Sequence, residues 1–208
     1  MREDVGRVTQ KYPGQGENGS VYNHAAAFYA WALYTIDDVD RAYNTIRAMI
    51  PGPNEEDLLR RGQLPVFIPN YYRGGHGIKN LDRTAGRSSQ LFNTGTVSWV
   101  YRCFIEGLCG LRGVRQGLKV EPKMPSAWDS MKVRREFRGA VFDVEIERAD
   151  VKTVKVTVDG VEIDGNVIEQ IEKGRTYKIS VKVSRVNGGI NTGLSNGTTA
   201  SRNLANGI

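Results

Sequence analysis

The stretch Glu17-Asn18-Gly19-Ser20-Val21-Tyr22-Asn23-His24 gathers a carboxylate, two carboxamides, a serine hydroxyl and an imidazole into eight residues, directly before an apolar run from Ala25 to Ile36. Seventy positions after His24, Asn93-Thr94-Gly95-Thr96 opens a second apolar run. A helix that begins at such a loop points free backbone N–H groups and the positive end of its dipole at whatever sits there, which is a general way to bind phosphate or carboxylate. Gly95 lets an anion come close to the backbone, Thr94 adds a hydroxyl, and the His24 ring can donate to the same anion. Each feature also has a plainer reading. Helices often start with Thr and Gly simply as caps, and a histidine in this setting is first of all a core residue bonded to a carbonyl. Glu17, the one carboxylate in the Gly-rich turn, either meets sugar hydroxyls or only closes the turn, for which Asn18-Gly19 is a standard pair.

The elements that must carry these loops follow from periodicity. Residues 24–36 are apolar almost all round, so this helix needs burial on most sides. Asn23 is the expected N-cap. Asp37 or Asp38 caps a second helix over about 38–50, which Pro51-Gly52-Pro53 stops, so the two make an αα-hairpin. Asn54 caps a short helix to Arg61. Residues 62–93 read as one long loop with tyrosines and arginines, a length that points to function. A third long helix spans 96–111 and ends at Gly110 and Gly113. From 114 onward the pattern has period two, with turns at Gly139-Ala140 and Asp159-Gly160, as in an antiparallel sheet with one wet face. Residues 186–208 are Gly, Asn, Ser and Thr, the composition of a disordered tail. The expected fold is therefore α+β, with a helical part over 1–113 and a β part over 114–185. The helices are so apolar that they read as a piece of something larger.

Composition narrows the function. The 208 residues carry a net charge of +6, with 39% hydrophobic and 25% charged residues. A positive balance suits an anionic ligand. No aromatic-basic motif points to nucleic acid, and no apolar run is long enough to span a bilayer. Residues 1–12 are charged and do not read as a signal peptide. Cys103 and Cys109, six residues apart on one expected helix, face different ways and are read as buried thiols of a reducing compartment. Two histidines and two cysteines without ligand spacing do not point to a metal centre. Inverting chemistry at a glycoside needs an acid for the leaving oxygen and a nucleophile on the opposite face. If phosphate is the nucleophile, the protein has only to hold the anion in line, which fits two anion loops without a carboxylate pair.

Taken together, Glu17-Asn18-Gly19-x-x-x-Asn23-His24 and Thr94-Gly95-Thr96-x-x-Trp99 resemble the inverting glycoside phosphorylases of glycoside hydrolase family 94. Gly117-Leu-Lys-Val-Glu-Pro122, Pro125-x-x-Trp128 and Arg135-x-Phe137-Arg138-Gly139 are similar to that family's passage into its C-terminal β domain. The resemblance covers about residues 5–185. It implies the C-terminal part of an (α/α)6 barrel followed by an antiparallel β-sandwich. It also implies that His24, Thr94 and Gly95 bind phosphate, that Glu17 contacts sugar hydroxyls, and that the general acid is an Asp upstream of this chain. Arg7-x-x-x-Lys11 before Tyr12-Pro13-Gly14 looks like the cellobionic acid phosphorylases, where a basic pair holds the aldonate carboxylate. Gly16 departs from cellobiose-type members, which carry a Lys there.

The implied reaction is phosphorolysis of cellobionic acid to α-glucose 1-phosphate and gluconate, with inorganic phosphate as co-substrate and no other cofactor, in a cytoplasmic, homodimeric parent protein. Three alternatives stand beside it. One is a phosphorylase of cellobiose or another β-glucoside. Another is a non-catalytic carbohydrate-binding module on the β part. The last is a hydrolase on the same barrel, with Glu17 activating water.

Overall fold

The computed structural model describes residues 6, 10–52, 54–63, 67–89 and 95–185. Arg7, Thr94, the Pro53 stop signal and the 186–208 tail lie outside them. The chain opens with a two-residue strand, β1 (Val21–Tyr22), that runs into helix α1 (Asn23–Thr35). Helix α2 (Val39–Met49) follows after three residues, then the short α3 (Glu55–Arg61), strand β2 (Tyr71–Tyr72) and α4 (Gly95–Arg102). Asn54 caps α3 as its position predicts, its Oδ1 accepting from the Asp57 N–H at 2.8 Å. Helix α4 is shorter than the 96–111 expectation. After Arg102 the winding relaxes to a π-helical stretch (Cys103–Leu108), and the chain is already extended at Leu111.

The helical core is built from small and medium side chains at helical spacing: Ala27, Ala30 and Leu33 of α1, Ala42 and Ile46 of α2, Val100 of α4 and Cys103. Alanines on α1 let its neighbours approach closely. As expected of an apolar helix on which no further helices pack, α1 leaves apolar surface open: Phe28 and Tyr29 are 45% and 49% exposed. Cys103 and Cys109 are free and buried, one in each core, and burial pushes both thiols up to about 11.

The β part has two sheets. Strands β3 (Leu111–Gly113), β4 (Leu118–Val120) and β9 (Val167–Ile168) form the smaller, antiparallel one. The larger has the order β5 (Ser130–Phe137), β6 (Ala140–Ala149), β10 (Thr176–Ser184), β7 (Lys155–Val158), β8 (Val161–Glu162). Alternation is regular: Phe142, Val144 and Ile146 of β6 and Tyr177, Ile179 and Val181 of β10 point inward onto Leu111, Leu118 and Val120. The β5–β6 and β7–β8 hairpins turn on Arg138-Gly139 and Asp159-Gly160, all four with positive φ, as two-residue turns of this hand require.

Two expectations in the β part need correction: the first hairpin turns one residue before Gly139-Ala140, and the sheets are not wholly antiparallel. β10 pairs parallel with β6 over nine residues, from Thr176↔Val141 to Ser184↔Ala149. The reason is the route. After β6 the chain forms the β7–β8 hairpin, crosses to the other sheet as β9, and returns between β6 and β7. Such a long crossover is what parallel neighbours need.

Candidate functional site

The loop before β1 is folded on itself. The Gly14 N–H donates to the Asn18 carbonyl at 2.7 Å, the Asn18 N–H to the Gln15 carbonyl at 3.0 Å, and the Asn18 Nδ2 to the Lys11 carbonyl at 2.8 Å. This turn lies backbone to backbone on the loop after β2. The Gly74 N–H donates to the Gly14 carbonyl at 2.9 Å, and a Cβ at Gly14 would stand 2.6 Å from the Gly74 carbonyl oxygen. Only glycine fits there. β1 and β2 pair as Val21↔Tyr72 and Tyr22↔Tyr71, so the first loop and the long loop form one wall.

Asn70, which sequence reasoning passed over, joins the two helix starts. Its carbonyl accepts from the Asn23 N–H of α1 at 2.9 Å, and its side-chain Oδ1 accepts from the Thr96 hydroxyl of α4 at 3.0 Å. Thr96 and Asn23 are both buried. Asn23 is not the N-cap that was expected. Tyr22 holds that place, and Asn23 is the first helical residue, its Nδ2 donating to the Pro69 carbonyl at 2.8 Å. A side chain pulled into the long loop cannot also fold back on its own helix. Two helix N-termini, each a positive dipole end, thus meet at Asn70.

His24 stands in the first turn of α1, half-buried, with its ring against Gly95 at the start of α4. A Cβ on Gly95 would overlap the His24 Nε2 and Cε1. The ring is also flanked by Phe28, with centroids 4.7 Å apart, and Phe28 by Trp99 at 4.6 Å edge to face. So the structure brings His24 and Gly95 together. Arg7 and Thr94 lie outside the described residues.

Lys11 and Glu17 form an ion pair, both exposed. They line a cavity of about 410 Å³ with Tyr22, Asn70 and Tyr71. Asn70 therefore touches both the cavity and the helix starts. A carboxylate, an ammonium and phenolic rings around one hollow can bind a polyhydroxylated ligand with a charged end, while the helix starts and imidazole suit an anion. A larger hollow of about 760 Å³ lies on the outer face of the five-stranded sheet. Four of its charged side chains are paired across strands, Lys132 to Glu145 at 2.6 Å and Arg134 to Asp143 at 3.1 Å, and Lys178 lines it as well. Among the described residues no three His, Cys, Asp or Glu side chains cluster as metal ligands, and no helix is long and apolar enough to cross a membrane.

Residues 1–110 match the model of the glycosyl hydrolase 94 superfamily catalytic domain, and residues 111–166 match that of the glycosyl hydrolase family 65 C-terminal domain. The chain is 56% identical to a cellobionic acid phosphorylase of Neurospora crassa over 88% of its own length and 23% of that protein. It is 35% identical to a 3-O-beta-D-glucopyranosyl-beta-D-glucuronide phosphorylase of Paenibacillus borealis, over 86% of this chain and 23% of the relative. It is 30% identical to an N,N'-diacetylchitobiose phosphorylase of Vibrio proteolyticus, over 82% of this chain and 21% of the relative. The chain spans less than a quarter of the length of these curated relatives.

Proposed function

Because this chain belongs to the glycosyl hydrolase 94 superfamily, we propose that it forms the phosphate-binding portion of an inverting phosphorylase that converts cellobionic acid and phosphate to α-glucose 1-phosphate and gluconate. The observation that carries the reading is the His24 ring lying against Gly95, where two helix starts meet at Asn70. In this reading His24, Thr94 and Gly95 hold the phosphate in line with the anomeric carbon. The phosphate attacks from the face opposite the leaving oxygen, which accounts for the α product. Preorganised N–H donors lower the barrier without a protein base, because the nucleophile arrives as an anion. Glu17 accepts from sugar hydroxyls, and Arg7 and Lys11 hold the aldonate carboxylate by charge-assisted hydrogen bonds. The general acid and the remainder of an (α/α)6 barrel come from other segments of the parent protein, taken to be a cytoplasmic homodimer.

The substrate assignment draws on the 56% identity to a cellobionic acid phosphorylase and on Lys11 at the cavity wall. The test is phosphorolysis by the full-length protein, with cellobionic acid and cellobiose side by side, with and without phosphate. Phosphate-dependent glucose 1-phosphate from cellobionic acid alone is expected. Release from cellobiose alone would keep the class and remove the aldonate. Glucose formed without phosphate would overturn the phosphate roles of His24 and Gly95.

A further inference from the structure

Lys11 does not swing freely from its loop. Its carbonyl is held by the Asn18 Nδ2 at 2.8 Å, and its ammonium is paired with Glu17. Between these two anchors the stem lies across Gly16. A Cβ built on Gly16 would stand 3.0 Å from the Lys11 Nζ, 3.1 Å from its Cδ and 3.6 Å from its Cε. The end of the lysine therefore occupies the space that a side chain at position 16 would take. Gly16 is also left-handed, at φ +51°. A lysine normally has more rotamer freedom to lose than almost any residue. Held at both ends and laid in this slot, it has lost much of that freedom before a ligand arrives, and preorganisation of this kind raises affinity.

We propose that Gly16 is a specificity-determining residue for the anionic end of the substrate. By having no side chain it lays Lys11 along the turn and fixes the ammonium at the wall of the 410 Å³ cavity, where a sugar-acid carboxylate meets it. This rests on the reading of Lys11 as the carboxylate contact. A side chain at position 16 moves the ammonium away and releases Glu17 from its pair. The carboxylate then loses its partner while the neutral ring contacts stay, so selectivity shifts from the acid towards the neutral disaccharide.

The test compares Gly16→Asn, Lys11→Met and the double variant in the full-length protein. Asparagine adopts the left-handed conformation more readily than most residues, so backbone strain is kept small. The readouts are kcat/KM for cellobionic acid and for cellobiose, KM for phosphate, and the melting temperature. Gly16→Asn is expected to lower kcat/KM for cellobionic acid by about tenfold or more, the weight of one charge-assisted hydrogen bond. KM for phosphate should hold, and the double variant should be no worse than Lys11→Met alone, because Gly16 acts through Lys11. If Lys11→Met lowers the acid preference and Gly16→Asn leaves it intact, the inference about Gly16 falls and the reading of Lys11 stands. If Lys11→Met changes nothing, the carboxylate reading itself falls. Additive losses in the double variant, or a parallel loss of phosphate KM and melting temperature in Gly16→Asn, would show that Gly16 serves the loop as a whole and would overturn the proposal.

Discussion

Replacing Gly95 by alanine puts a methyl group into the His24 ring. Gly95 is the first residue of α4 and does not have a positive φ, so alanine is allowed there. By propensity alone the exchange favours the helix, by up to about 1 kcal/mol. The new Cβ, however, overlaps the His24 Nε2 and Cε1. To regain an ordinary carbon separation of about 3.5 Å the ring must retreat by about an ångström. It cannot move far, because Phe28 packs on it with centroids 4.7 Å apart and Phe28 is braced by Trp99. A phosphate held between the imidazole and the α4 start then loses one charge-assisted hydrogen bond, worth about 1.5–3 kcal/mol. That is roughly a 10- to 150-fold rise in the KM for phosphate. Initial rates of the full-length protein at varied phosphate, with a thermal melt of the same sample, measure both effects. The expected signature has opposite signs: melting held or slightly raised, phosphate KM sharply up. A phosphate KM within about twofold of wild type, less than the loss of one such bond, would refute the shared His24–Gly95 site.

Three further outcomes are expected. Phe142→Ala removes a fully buried ring stacked on Tyr177 at 5.1 Å, and should cost about 3–5 kcal/mol in urea unfolding. Lys123 donates from its ammonium to the Tyr34 carbonyl at the C-terminal end of α1, so Lys123→Met frees that end and should cost about 1–2 kcal/mol, seen as a melting point lower by about 2–8 °C. The Asp57 carboxylate accepts from the Gly52 N–H at 2.6 Å and from Arg60 at 2.8 Å, which holds its pKa well below the usual carboxylate range. A depressed folded-state pKa gives stability that is present above the unfolded value of about 3.9 and lost as pH falls through the folded one. Melts of wild type from neutral to strongly acid pH should therefore show an acid limb that Asp57→Asn flattens.

What the sequence made legible was what repeats. Helix α2 and the long strands β5, β6 and β10 show in periodicity, since each turns one face to the core over many residues, while α1 shows as an apolar run and α3 by its Asn54 cap. Asp159-Gly160 marked its hairpin because positive φ at both positions restricts the residue types. The pairing of β6 with β10 was not legible, because alternation fixes which face is wet and says nothing of strand direction. β1 and β2 are two residues each, too short for any period, yet they bring the two loops together. Asn70 carried no signal either: an asparagine in a long loop has many uses, and its bonds to Asn23 and Thr96 depend on tertiary placement. His24 and Gly95 could be singled out by type and position at helix starts, but their contact is a fact of packing alone.

That packing reaches into the β part. The N-terminal end of α1 is fixed by Asn70 and Pro69 through Asn23. Its C-terminal end is fixed by Lys123, whose ammonium donates to the Tyr34 carbonyl and to Asp37, both at 2.6 Å. Asp37 sits at φ +61°, a conformation that costs an aspartate less than most residues. Beside it, the Ser126 N–H donates to Asp40 at 2.7 Å and Trp128 packs edge on against Tyr43. Lys123, Ser126 and Trp128 all lie on the segment between β4 and β5. The segment that leads into the large sheet is therefore also the segment that sets where α1 ends. A helix rises about 1.5 Å per residue, so a slip of one residue at Thr35 would carry His24 off Gly95. The β part thus acts on the candidate anion site without touching it, by holding the far end of the helix that presents the imidazole.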